Sequence, residues 1–259
     1  MARKSLFELI NNASKEEHDY ASEFLTDLTF SIEKYDKIHE HASSNTISPS
    51  SMKCERGMVY KLIGTEKDKE KRSYQIIDIC QSGSQRHEAI QQSICNMKEI
   101  GLDCEYVNVK DYVEEHNLPL RIGKEGTFET HLYSDKHRAS FLCDGIIKYK
   151  GIYYILEIKT ESSGKFLKQK DVMEKHKNQA IAYSLFLGIP SIMFLYENRD
   201  ILSKKTFIYT PTKKEKKELE EKIFRCLQNA SNNVIPEKPK EYGRDLCQYC
   251  PYKNRCENE

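Results

Sequence analysis

Residues 141–149 and 152–160 are two β-rich runs separated only by Lys150-Gly151, a connection so short that it predicts a hairpin. If those two residues form the loop, opposed positions sum to 301 and Asp144 falls across from Glu157. Their Cα atoms would then be roughly 4.5–5.5 Å apart, with Lys159 two residues further along the same face. The opposite face, Phe141, Cys143, Gly145 and Ile147 against Ile152, Tyr154, Leu156 and Ile158, carries no charge and is expected to be core. On the charged face Ile146 and Ile155 occupy the end near the turn, so the two acids and the lysine gather at the far end.

An exposed strand face with a cross-strand ion pair is one account of this pattern. It leaves two directly opposed carboxylates repelling each other, which a purely structural hairpin would avoid. A divalent cation removes the repulsion. Oxygen ligands at this separation suit Mg²⁺ or Mn²⁺, and a neighbouring lysine can orient or deprotonate a water and offset charge building on a phosphate. The chemistry implied is phosphodiester hydrolysis. A one-residue slip of register would put Asp144 and Glu157 on opposite faces and remove the argument.

Helical patterns surround the hairpin. Ser14-x-x-Glu17 has the form of a capping box ahead of Tyr20, Phe24, Leu28, Ile32, Tyr35 and Ile38, predicting a long amphipathic helix that docks a partner or covers the core. Ser48-Pro49-Ser50 reads as the start of a helix that carries Cys54 and runs to about Leu62, and residues 66–72 read as a charged connector. After Gly83-Ser84, His87, Ile90, Ile94 and Met97 recur at helical steps, which places His87 on an apolar, inward face. Residues 127–133 are expected to be a strand, 171–188 a helix ended by Gly188 and Pro190, and 191–196 and 205–209 strands. Thr212-x-x-Glu215 caps a further helix, and Pro236 and Pro239 mark a linker. The expected divisions are a helical segment 1–46, a core 47–230 and a tail 231–259.

The 41 basic and 40 acidic residues among 259 leave a formal charge of +1, so any polyanion-binding surface must be local. Lysines 148, 150, 159, 165, 168, 170, 175 and 177 supply one around the hairpin, as a solvated helix face or a phosphate track. No apolar run approaches the roughly 20 residues that cross a bilayer, and no apolar segment follows the basic start, so a cytoplasmic protein without membrane contact is expected. No G-x-x-x-x-G-K-[ST] occurs. Nine cysteines without a leader point to metal ligands, nucleophiles or core thiols, and three of them fall in the last 13 residues. Cys80, Cys95, Cys104, Cys143 and Cys226 fit no ligand spacing and are expected to be packing residues.

Asp144 followed by Glu157-Ile158-Lys159 resembles the D…ExK signature of the PD-(D/E)XK nucleases. Gly83-x-x-x-His87 and Gln179-x-x-x-Tyr183 resemble the flanking motifs of the RecB-type branch. Cys54 with Cys247-x2-Cys250-x5-Cys256 resembles the iron–sulfur subgroup, which includes the small CRISPR-associated exonucleases. The resemblance spans about residues 48–256; Cys143 stands where many members have proline. It implies an α/β (α+β) fold, a mixed central sheet flanked by helices, restriction-endonuclease-like, with an N-terminal helical segment and a C-terminal cysteine cluster. It implies that His87, Asp144, Glu157 and the Ile158 carbonyl hold Mg²⁺ or Mn²⁺, that Lys159 acts on water, and that Gln179 and Tyr183 position substrate or the lysine. Cys54, Cys247, Cys250 and Cys256 would bind a [4Fe–4S] cluster, with zinc the alternative. Glu129 stands where the family often has an acid, and a strand-surface role suits it equally.

The function so implied is a single-strand DNA exonuclease in recombination, replication-linked processing or CRISPR adaptation, with proteins of those processes as partners. A structure-specific or nicking endonuclease, or a non-catalytic nucleic-acid-binding assembly subunit, are the alternatives.

Overall fold

The structure is a computed structural model that describes residues 6–38, 44–68, 72–240, 246–247 and 250–259, with side chains from residue 20 onward. In chain order it runs α1 (Leu6–Ile38), a 3₁₀ turn (Pro49–Ser51), α2 (Glu55–Leu62), α3 (Tyr74–Glu99), β1 (Cys104–Val107), α4 (Val109–Glu115), β2 (Arg121–Glu125), β3 (Thr130–Ser134) and β4 (Ala139–Phe141). There follow β5 (Gly145–Tyr149), β6 (Ile152–Glu161), α5 (Ser163–Lys168), α6 (Glu174–Leu187), β7 (Ile192–Asn198), β8 (Lys204–Tyr209), α7 (Lys213–Ser231) and α8 (Lys253–Asn258).

Two sheets form. The larger has the order β1-β5-β6-β7-β8 and is mixed, because β6 and β7 run parallel while its other pairs are antiparallel. The parallel pair follows from the helical crossover of α5 and α6 between those strands. The smaller sheet, β2-β3-β4, is antiparallel throughout. Helices flank the larger sheet, as expected: Ile90 and Ile94 of α3 pack on Ile147, Leu156 and Ile158, while Ile146, Ile155, Phe194 and Tyr196 share a core with α2, α6 and α7. Alternate residues of β5 and β6 therefore enter different cores, as a pleated strand requires.

That burial corrects the expectation of a single core face on the hairpin. Ile146 and Ile155, on the acids' face, are fully buried. The reason is β7: with a strand on either side, β6 is interior to the sheet and receives helices on both faces. Other boundaries differ too. Phe141 ends β4 in the small sheet, and the chain passes through 142–144 before pairing again as β5. Ser14 lies inside α1, and Gly83 inside α3, so neither begins a helix. The helix expected from Ser48 is a 3₁₀ turn followed by α2, with Cys54 at the N-cap between them. β1, α4, β2, α5 and α8 were not anticipated. Thr212 does form the predicted capping box with Glu215, and Gly188 closes α6 with φ +71°.

Two compact units are distinguished, Met1–Ala42 with Lys69–Ser82, and Ser43–Asp68 with Gly83–Glu259. In the first, Arg72 grips Asp36 with two hydrogen bonds, at 2.7 and 2.8 Å, and the Tyr74 N–H donates to Glu33. The second contains both sheets and every residue of the site below.

Candidate active site

The hairpin closes in the predicted register. Gly145 pairs with Leu156 and Tyr149 with Ile152, every pair summing to 301. Lys150 and Gly151 take φ +50° and +79°, the two left-handed residues that let a two-residue loop follow the twist of its strands. Asp144 lies one residue before β5, where backbone pairing has stopped, and its side chain continues the ladder: Oδ2 accepts the Ile158 N–H at 2.6 Å.

Gly145 is what lets the chain turn there. Its φ is +151°, and a Cβ would lie 2.5 Å from the Tyr106 Oη and 2.7 Å from Cε2 and Cζ. The Tyr106 hydroxyl is within 2.8 Å of the Asp144 carbonyl and 2.9 Å of the Phe128 carbonyl, with one proton to donate between them. Gln91 on α3 donates to the same Asp144 carbonyl at 2.6 Å. The backbone at Asp144 is thus held by β1 and α3 as well as by its own hairpin.

Glu157 is 1% exposed, and neither carboxylate oxygen has a hydrogen-bond partner of good geometry. The Lys159 ammonium contacts Oε1 as an ion pair. Burial, then the nearby Asp144, raise the Glu157 pKa, and Lys159 only partly opposes them. For Lys159, burial favours the neutral amine, but Glu157 and Asp144 outweigh it and keep the ammonium.

His87 reaches this group from α3, its Nδ1 3.3 Å from Asp144 Oδ1. Burial disfavours the imidazolium, yet the Asp144 carboxylate outweighs that and raises the pKa. Glu129, in the segment before β3, completes a cluster: one ligand atom from each of His87, Glu129 and Asp144 lie within 4.8 Å of one another. Burial and then Asp144 push the Glu129 pKa up. Three ligand atoms so close together, beside a buried carboxylate whose Oε2 is not taken up by Lys159, fit a hard divalent cation. Sequence reasoning singled out His87 and Asp144 but left Glu129 open; the missing information was the path of the chain from β2 to β3, which carries no periodic signal. Tyr106 on β1 and Gln91 on α3 were missed because nothing in their own segments shows that both reach the Asp144 carbonyl.

Gln179 and Tyr183 share one side of α6 and meet the hairpin. Lys159 Nζ donates to Gln179 Oε1 at 3.3 Å, Gln179 Nε2 donates to Tyr183 Oη at 2.9 Å, and Tyr183 donates to the Leu142 carbonyl at 2.6 Å. This chain runs from the lysine to the backbone two residues before Asp144. Tyr183 is buried, which raises its pKa well above the ordinary range. Of the lysines expected around the hairpin, Lys159, Lys175 and Lys165, joined by Lys53, surround His176; burial and then these charges lower its pKa to about 3.

The four cysteines of the predicted cluster come together. Cys54, Cys247, Cys250 and Cys256 line one pocket with Arg56, Tyr60 and Tyr252. Burial raises the Cys250 and Cys256 pKa values, and charge on the other cysteines adds to it. The tail is tied down by Tyr60, which donates to Glu259 at 2.5 Å, and by Arg56, which donates to the Pro236 carbonyl at 2.8 Å. Of the remaining cysteines, Cys104, Cys143 and Cys226 are buried as expected; Cys80, on α3, is exposed and is not a core thiol.

No family model matches the sequence, and no characterised protein matches it in sequence. Among solved structures, the crystal structure of SSO0001 is 16% identical with a TM-score of 0.46, covering 90% of this chain and 96% of that one. The alkaline exonuclease LHK-Exo from Laribacter hongkongensis is 10% identical with a TM-score of 0.44, covering 74% and 90%. LHK-Exo in complex with dAMP gives 12%, 0.43, 73% and 89%. The similarity is distant in each case. Among the described residues no helix is long and apolar enough to cross a membrane.

Proposed function

We propose that this chain is a metal-dependent DNA nuclease of the PD-(D/E)XK type that degrades single-stranded ends as an exonuclease. The observation that carries the reading is the convergence of His87 from α3, Glu129 from the segment before β3 and Asp144 from the hairpin within 4.8 Å of one another, with the hairpin's next strand burying Glu157 beside Lys159. His87, Asp144, Glu157 and the Ile158 carbonyl are the proposed holders of Mg²⁺ or Mn²⁺, with Glu129 added to the set. When bound, the ion would polarise a phosphoryl oxygen and supply an acidified water.

The chain's own residues do the rest. Asp144 is fixed through Oδ2 to the Ile158 N–H, so Oδ1 is the oxygen available to a ligand. Lys159, held as an ammonium, orients the attacking water and offsets charge on the phosphate. Gln179 fixes the lysine, and Tyr183 fixes Gln179. Lys53, Lys165 and Lys175, whose charges meet at His176, are the proposed contacts for flanking phosphates.

For Cys54, Cys247, Cys250 and Cys256 the proposed occupant is a [4Fe–4S] cluster. Four thiols lining one pocket, drawn from opposite ends of the chain, support a structural role. Proteins of recombination, replication or CRISPR adaptation in the cytoplasm are the proposed partners. End-labelled linear and circular single-stranded DNA incubated with Mn²⁺ test the activity. Loss of linear DNA alone supports the exonuclease; cutting of both indicates an endonuclease, and cutting of neither removes the catalytic reading.

A further inference from the structure

The seam of α1 is exposed. Phe24, Leu28 and Ile38 are 69%, 46% and 67% exposed. Their spacing places Phe24 and Ile38 at d and Leu28 at a of a heptad repeat, with Leu25 and Ile32 at e and Asp27 and Lys34 at g. Arg72 and the Tyr74 N–H meet α1 through Asp36 and Glu33, at b and f, on the other side of the helix from Phe24, Leu28 and Ile38. Ser31 takes the d position between Phe24 and Ile38, and large exposed apolar residues on either side of it mark a binding surface.

We infer that this seam pairs with the same seam of a second copy of the chain, antiparallel and about a two-fold axis near Ser31. The charges choose the partner and the direction. In an antiparallel pair each g flank meets the partner's g flank, so Asp27 faces the second copy's lysine at position 34 and Lys34 its aspartate at position 27, while the apolar e flanks meet each other. A parallel pair would set Asp27 against the apolar e position 32. An isologous antiparallel contact therefore satisfies both flanks with one sequence, as closed two-fold symmetry requires. From Tyr20 to Ile38 the helix is roughly 27 Å long at 1.5 Å per residue, room for both ion pairs and the apolar steps between them.

Sedimentation equilibrium of the full chain at high micromolar concentration should give twice the 30.3 kDa chain mass. Leu28→Glu, on the seam, should give monomer with unchanged circular dichroism. Asp27→Lys alone and Lys34→Asp alone each create two like-charge contacts by symmetry and should weaken the dimer about tenfold, roughly 1.4 kcal/mol. Mixing those two variants should restore association as a mixed dimer, and the double variant Asp27→Lys with Lys34→Asp should dimerise like the parent. A monomeric wild-type chain overturns the proposal and leaves the seam to a different protein. A dimer indifferent to Leu28→Glu, or a double variant no better than the singles, also overturns it.

Discussion

Replacing Gly145 by alanine tests whether the backbone at Asp144 is held as described. The added methyl would sit 2.5 Å from the Tyr106 Oη and 2.7 Å from two ring carbons, on a residue with φ +151°. Backbone strain of this kind costs about 1–3 kcal/mol. Overpacking a rigid neighbour costs about 1–3 kcal/mol more. If Tyr106 withdraws, its bond to the Asp144 carbonyl is lost, at about 1 kcal/mol. Relief of one cost adds to another, so the expected loss is about 2–5 kcal/mol in denaturant titration, or a fall in Tm of roughly 5–15 °C for a domain of this size. Tyr106→Leu in the same background should recover part of the loss, because the steric share needs the ring. A Gly145→Ala variant within about 0.5 kcal/mol of wild type, or strict additivity with Tyr106→Leu, would refute the reasoning.

Other consequences follow from particular contacts. For Glu197, burial alone would raise the carboxyl pKa, but Arg86 at 2.7 Å and Lys204 at 2.8 Å outweigh it and lower the value. A carboxylate lowered in the folded state stabilises above its unfolded pKa of about 4.5 and loses that contribution as pH falls through the folded value. Glu197→Gln should therefore cost about 1–3 kcal/mol at pH 7, with the gap to wild type closing below about pH 4 in thermal melts; a pH-independent gap contradicts the assignment. Tyr183→Phe removes the donor to the Leu142 carbonyl and the acceptor for Gln179, so it should cost about 1–2 kcal/mol and lower kcat more than it raises KM. Cys250→Ser should release iron and sulfide, measured on anaerobic protein, and lower Tm; stoichiometric zinc without sulfide in the parent would replace the cluster reading.

The hairpin was legible because its register depends on two local facts, the alternation of apolar residues and a loop whose length admits one closure. Asp144 and Glu157 follow from that closure alone. Lys159, Gln179 and Tyr183 join them because α6 returns across the face that carries Glu157, which helical spacing suggests but does not place. What was not legible depends on distant neighbours. Nothing within 141–160 says that β7 will run parallel beside β6 and bury the second face, nor that the chain leaves one sheet for the other at 142–144. Glu129 sits in an aperiodic segment positioned by Phe128, whose carbonyl lies within reach of Tyr106. Gly83 reads locally as a helix break yet is carried inside α3, since a 26-residue helix packed on the sheet offsets the roughly 1 kcal/mol that one glycine costs.

The claim that the hairpin is a cation site for hydrolysis rests on Asp144. Isothermal titration of Mn²⁺ into wild type and Asp144→Asn, with cleavage of end-labelled single-stranded DNA measured on the same samples, tests it. The account predicts that wild type binds Mn²⁺ and cuts. Asp144→Asn should lose both while remaining folded, since the amide oxygen can still accept the Ile158 N–H. An Asp144→Asn protein that binds Mn²⁺ and cleaves DNA like the parent would contradict it.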